Sequence, residues 1–311
     1  MHFGSSSIVA VAELVVYVPS IILAFVVCAR HGFSRSSGWY YTFTLCLIRI
    51  AGAVCQLITR KDHSIGLLKT VLVLSHIGLT PLLLSTLGML SRIADWINAR
   101  SPSPSLSIKY FRLAQLFVVL GAVFGIIGIE SSSSSSSDGG GGDDHNAVNN
   151  SPTTWSKVAV ICYVATYAML LFLMARSLSF RRQLPGKERL LVPAVWVALP
   201  LVFVRLLYQV LVVFVHRGDF RRINAPIVVL VLMSVVEEFL VVFIFLFVGL
   251  RLDKLEESEQ GPILSRPWKN RDRKQRRGGR RRRRQDKYQE PLSSYQAPVP
   301  MEYMGDRHGI P

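Results

Sequence analysis

The vocabulary of metal binding and catalysis is nearly missing from this chain. Its 311 residues include four cysteines and seven histidines. No CxxC pair or Cys/His spacing of the kind that holds zinc occurs among them. Cys28, Cys46, Cys55 and Cys162 all fall in or beside apolar runs, which makes them small packing groups rather than the disulfide staples of an external loop. Cys28, at the end of a run beside Arg30, is also a candidate for S-acylation. G-x-S-x-G, H-E-x-x-H and P-loop patterns are absent. The chain is therefore read as a non-enzyme without a cofactor.

Charge is scarce as well, and unevenly so. Half of the residues are hydrophobic and 18% are charged, with a mean hydropathy of +0.35. The apolar residues gather into long runs instead of recurring at amphipathic spacing, which is the signature of membrane helices. Seven candidate spans follow: residues 8–28, 39–57, 67–90, 111–129, 155–174, 190–215 and 227–250. Each approaches the roughly 20 residues needed to cross a ~30 Å hydrocarbon core. The first run is too long for the apolar region of a signal peptide, and no Lys or Arg precedes it. It is read as a retained span. Trp39, Tyr40, Tyr41, Tyr110 and Trp155 stand at span ends, where interfacial anchors belong. Pro81 is expected to kink the third span. Gly121, Gly125 and Gly128 in the fourth form a small-residue stripe suited to close packing within the molecule.

Lysine and arginine are missing from residues 1–7 and from 130–154. They are frequent after the first, third, fifth and seventh runs, although Arg60, Lys61, Arg217, Arg221 and Arg222 count the other way. The positive-inside rule puts the N-terminus outside and the C-terminus in the cytoplasm. Residues 130–154, with seven consecutive serines and four glycines, are expected to be a disordered external loop. It carries one glycosylation-type triplet, Asn149-Asn150-Ser151. Residues 253–311 are expected to be a disordered cytoplasmic tail. Between Lys269 and Lys287 it holds twelve basic residues against two aspartates. Such a tail suits anionic lipid headgroups, at about 1 kcal/mol per basic residue near the surface. Tethered behind membrane spans, it is not expected to bind nucleic acid. Membrane lipids and a small-molecule or lipid substrate are the other partners foreseen.

Against this background a few charges stand out. Glu13, Arg49, Arg205, Glu237 and Glu238 lie inside apolar runs, as does His76. An ionised side chain at mid-bilayer costs roughly 2.5–3.5 kcal/mol on insertion scales, so such groups pair or line a polar cavity. At 1.5 Å per residue, Arg49, His76, Arg205 and Glu237 come out at a similar depth, roughly 12–15 Å below the outer end, and Glu13 at roughly 8 Å. Tyr208 and Gln209 share the face of Arg205. Gly52 and Gln56 continue that of Arg49, and Tyr17 stands one turn from Glu13. Glu237 and Glu238 point about 100° apart, so one is expected to meet an arginine while the other faces a cavity. The arginines would hold an anionic headgroup or pair with the glutamates, and either glutamate is a candidate proton carrier. Pairs that merely fix helix packing, a binding or translocation site, and intramembrane catalysis all remain open readings.

Several seven-span classes are excluded. A retinal protein needs a lysine in its last span, and 227–250 has none. A zinc-dependent membrane hydrolase needs several His or Asp ligands, yet among the candidates only His76 lies in a span. A rhodopsin-type receptor shows D-R-Y after its third span, where this chain reads Leu90-Ser91-Arg92-Ile93. Instead, Glu13, Gly38-Trp39-Tyr40-Tyr41 leading to Ile48-Arg49-Ile50-Ala51-Gly52, Val204-Arg205-Leu206-Leu207-Tyr208, and Glu237-Glu238-Phe239 before Val248-Gly249-Leu250 resemble a group of fungal integral membrane proteins carrying a domain of unknown function. The likeness covers about residues 5–252. In layout the group is similar to seven-span fungal proteins associated with lipid translocation and toxicant resistance. The resemblance implies an all-α, polytopic seven-helix membrane bundle. Binding or translocation of a lipid or small molecule through the Arg/Glu cluster is the function expected. The alternative is a receptor-like sensor whose charged cluster acts as a conformational lock.

Overall fold

The computed structural model describes residues 5–31, 37–59, 65–100, 107–134, 153–179, 188–215 and 235–252, and among these it holds eight α-helices. They are α1 (Ser5–His31), α2 (Ser37–Ile58), α3 (Ile65–Ile77), α4 (Leu79–Arg100), α5 (Ile108–Ser134), α6 (Thr154–Leu178), α7 (Leu191–Val210) and α8 (Glu237–Arg251). A 3₁₀ turn at Glu188–Leu190 leads into α7, and a π-helical turn at Leu211–Val215 follows it. No strand occurs among the described residues.

Among the described residues, six helical stretches are long and apolar enough to cross a membrane, the third being α3 and α4 taken together (Lys69–Asn98). This is the build of an integral membrane protein. The described part of α8 has 15 residues, about 22 Å of helix. The first eight residues of the expected seventh span (227–234), the greater part of the Ser/Gly loop with its Asn149 triplet, the polybasic tail, and Arg217, Arg221 and Arg222 lie outside the described residues. At the edges of the loop, α5 continues through Glu130 to Ser134 and α6 begins at Thr154.

The kink at Pro81 takes the form of a one-residue interruption of the helix at Gly78, whose N–H still donates to the Leu74 carbonyl at 3.2 Å. Pro81 has no N–H to give to the carbonyl of Ile77, so the helix cannot run through the preceding turn unaltered. It stops at Ile77, turns at Gly78 and restarts at Leu79. Beyond the break, α4 is the central element. Leu79, Leu82, Leu83, Leu87, Leu90, Ile93 and Ala94 are all buried. The α3–α4 span is 61% buried, against 33%, 28% and 33% for those of α1, α2 and α5. Packed around it are α2, α5, α6 and α7, while α1 packs on α2 and α8, and α8 on α7. The outer faces keep Ile8, Val15, Ile22, Trp155, Ile161, Trp196 and Phe243 exposed. In lipid such side chains carry no hydration penalty, and helix association rests on close packing instead.

Small residues supply that closeness. A Cβ at Gly121 would strike Tyr163 of α6, one at Gly125 the imidazole of His76 on α3, and one at Gly128 the Ser156 hydroxyl of α6. The stripe therefore works within the molecule. Thr153 caps α6, accepting from the Ser156 N–H at 3.4 Å and donating to the Gly128 carbonyl at 3.1 Å.

One expected anchor is turned inward. Trp39 is 2% exposed, and its indole N–H donates to the Phe245 carbonyl at 3.0 Å. His31 stacks on it at 4.3 Å, and the Arg92 guanidinium lies over its ring at 5.1 Å. Gly249 explains the inversion. A Cβ there would stand 2.5 Å from Trp39 Nε1 and 2.6 Å from Val27 Cγ1, so the indole occupies space that glycine leaves open. His31 Nε2 meets the Gly249 carbonyl at 2.9 Å, and Arg30 donates to the Leu250 carbonyl at 2.9 Å. These cationic and polar side chains satisfy the last carbonyls of α8, where the helix dipole favours positive charge. Tyr40, Tyr110 and Trp155 are exposed, as anchors should be. Cys28 is fully buried, which leaves no access for an acyl chain.

Gly249→Val is expected to lower the thermal unfolding midpoint in detergent, because overpacking a tight contact costs about 1–3 kcal/mol. Gly66→Ala, with nothing within 4 Å of the added methyl, is expected to leave it unchanged or slightly raised.

Candidate functional site

Glu238 is the hub. Its carboxylate is wholly buried and receives one arginine on each oxygen. Arg205 Nε donates to Oε1 at 2.6 Å. Arg49 Nε donates to Oε2 at 2.5 Å, and Arg49 Nη2 pairs with the same oxygen. Charge-assisted bonds of this kind are the strong ones, and a dry interior demands them because each unpaired ion there costs several kcal/mol.

The remaining donors of the two arginines extend the network. Arg205 Nη2 donates to the Ser75 carbonyl at 3.1 Å, beside the break at Gly78. Arg205 Nη1 reaches Gln209 Oε1 at 3.5 Å, and Gln209 Nε2 meets His76 Nδ1. With the amide oxygen turned to Arg205 and its nitrogen to His76, the imidazole Nδ1 accepts. The Arg205 guanidinium also lies 5.7 Å from the centre of the Tyr208 ring. Beyond His76, Tyr163 lies 6.2 Å away ring to ring, and its hydroxyl bonds Thr80 at 2.9 Å. Six helices thus carry these polar contacts: α8 to α2 and α7, α7 to α3, and α6 to α4.

Glu13 is attached more loosely. Its Oε1 lies 3.8 Å from Arg49 Nη1, an ion pair too long for a hydrogen bond. A cavity of about 150 Å³ opens beside this pair, and Gly52, Gln56, Ser75, Tyr208 and Gln209 share its wall with Glu13 and Arg49. Apolar side chains complete it, among them Val212 of the π-helical turn and Val235 just before α8. An apolar cavity of comparable volume holds a benzene-sized molecule, and π-helical turns recur at functional sites.

Seven of the eight groups singled out in the sequence are joined by direct contacts: Glu13, Arg49, His76, Arg205, Tyr208, Gln209 and Glu238. Of the two adjacent glutamates, Glu238 takes both arginines. Glu237 is buried, and its Oε2 finds no hydrogen-bond partner among the described residues; nor does it line the cavity. The expectation that one glutamate would pair while the other faced the cavity is thus met in its first half only. The acid on the cavity wall is Glu13, on another helix. The arginines turn to a glutamate rather than standing free. Sequence reasoning missed the Ser75 carbonyl and the Tyr163–Thr80 pair. Gly78 three residues ahead of Pro81 was a signal for the first, and Gly121 for the second.

A family model described as a domain of unknown function (DUF7702) matches residues 3–255. No curated protein and no solved structure matches the chain. The chain belongs to the DUF7702 family.

Glu238→Gln leaves two buried guanidiniums facing a neutral amide, and breaking a buried pair in this way costs about 3–5 kcal/mol. A large fall in the detergent unfolding midpoint is expected. Glu237→Gln, which removes no described ion pair, is expected to change it little.

Proposed function

We propose that this member of the family binds a polar-headed small molecule or lipid in the cavity beside Arg49 and Glu13, and moves it across the membrane. One observation carries the reading: a cavity among the apolar helices is walled by charged and amide side chains that are not fully satisfied among the described residues. Glu13 has no hydrogen bond to any described residue, and its one ion pair is long. Desolvating such a group is costly without a partner. The cavity also touches α1, α2, α3 and α7, so small relative movements of these helices would alter it.

In this reading α8 is the seventh span. The N-terminus lies outside, the C-terminus lies in the cytoplasm, and the basic tail rests on anionic lipid. Exchange of the arginines between a bound headgroup and the glutamate would be the event that opens and closes the site.

A sensor is the second reading, and the bridged Arg49–Glu238–Arg205 arrangement favours it specifically. One carboxylate joining three helices is a lock whose release would be felt throughout the bundle.

Liposomes carrying the purified full chain separate the two. Transport predicts accelerated transbilayer movement of fluorescent lipid or encapsulated small solutes, reduced at least about tenfold in Arg49→Ala, a loss equivalent to about 1.4 kcal/mol. Equal, background-level movement in both preparations would overturn the transport reading.

A further inference from the structure

Resting on the reading of the cavity as a binding site, we infer that its occupant is a zwitterionic headgroup: a cationic ammonium joined to a phosphate or carboxylate a few atoms away. A purely anionic or purely cationic ligand is disfavoured by how the charges are already used.

Both arginines are committed. Arg205 spends Nε on Glu238, Nη2 on the Ser75 carbonyl and Nη1 on Gln209, and it does not line the cavity. Arg49 spends Nε and Nη2 on Glu238. Arg49 and Glu13 both line the cavity, and Arg49 Nη1 lies 3.8 Å from Glu13 Oε1. The charged part of the wall is therefore one base and one acid side by side. The four groups in described ion pairs, Arg49, Arg205, Glu238 and Glu13, are two bases and two acids; Glu237 stands outside these pairs and off the cavity wall.

In a low-dielectric interior an added ion has to be compensated. An anion on Arg49 Nη1 would sit against the Glu13 carboxylate, and a cation on Glu13 against the Arg49 guanidinium. A dipolar group placed across the pair meets both charges with the right sign and adds no net charge. The rest of the wall suits it. Gln56 offers an amide without a described partner, able to donate to a phosphate or carboxylate. Tyr208 also lines the wall, its ring already approached by the Arg205 guanidinium at 5.7 Å. Its volume of about 150 Å³ admits one compact headgroup and leaves an acyl chain to lie outside.

The probes are dodecylphosphocholine, dodecyl phosphate, dodecyltrimethylammonium and tail-less phosphocholine, presented to the full chain in maltoside micelles, with binding read by native mass spectrometry. The wild-type protein is expected to retain dodecylphosphocholine at concentrations at least about tenfold lower than either singly charged probe. Glu13→Gln is expected to weaken that binding about tenfold and to make dodecyl phosphate the preferred probe, because Arg49 is then unopposed. Should Glu13→Gln fail to fold, the wild-type ranking decides alone. Phosphocholine binding as tightly as its tailed form would assign a soluble zwitterion, and binding of the tailed form alone a lipid; both support the inference. Wild-type preference for the anionic or the cationic probe overturns it while leaving the cavity a binding site. Retention of no probe overturns the binding reading as well.

Discussion

One carboxylate, Glu238, neutralises two guanidiniums in a place where water cannot. Arg49 arrives from α2 and Arg205 from α7, and each takes a separate oxygen. Neither arginine is tolerable in an apolar bundle by itself, since burying an unpaired ion costs several kcal/mol. The shared acid makes both tolerable at once. It also ties α8 to one rotation, because Glu237 and Glu238 point about 100° apart and it is Glu238 that meets both arginines. From this hub the polar contacts run outward through Gln209 to His76 and through Arg49 to Glu13.

The other end of α8 is held by different means. There the helix is fastened by its backbone, with Trp39, His31 and Arg30 reaching the carbonyls of Phe245, Gly249 and Leu250. Glycine at 249 lets α1 and α2 come close enough for this. Charge pairing sets the register at one end and close packing at the other, so α8 is fixed both along and about its axis. The loosest polar contact among the charged residues is then Glu13 to Arg49, and the cavity lies beside it. Pairing is thus unevenly spread: Glu238 takes both arginines at hydrogen-bond distance, while Glu13 stands 3.8 Å from Arg49.

Much of this was legible in the sequence, for a physical reason. A charge inside an apolar run is expensive, so Glu13, Arg49, His76, Arg205 and Glu238 announced themselves, and a rise of 1.5 Å per residue placed most of them near one level. Tyr208 and Gln209 followed from helical spacing. The choice between Glu237 and Glu238 was not legible. It depends on the rotation of α8, which is set by contacts such as Gly249 against Trp39 and Val27, far away along the chain. Trp39 was misread because an indole suits a membrane interface and a packed core equally well, and a partner carbonyl on α8 cannot be seen from its neighbours in sequence. The role of Ser75 came from its backbone, to which side-chain patterns are blind. The cavity is a property of packing, and no composition foretells it.

The central claim is that Glu238 is shared. Solid-state NMR on the protein in lipid bilayers measures it directly, by dipolar recoupling between glutamate side-chain carboxyl carbons and arginine guanidinium nitrogens, with Arg49→Lys and Arg205→Lys used to assign the signals. The account predicts one carboxyl carbon strongly coupled to two guanidinium groups, each substitution removing one coupling and sparing the other. Two carboxyl carbons each coupled to a single arginine, or none coupled at all, would contradict it.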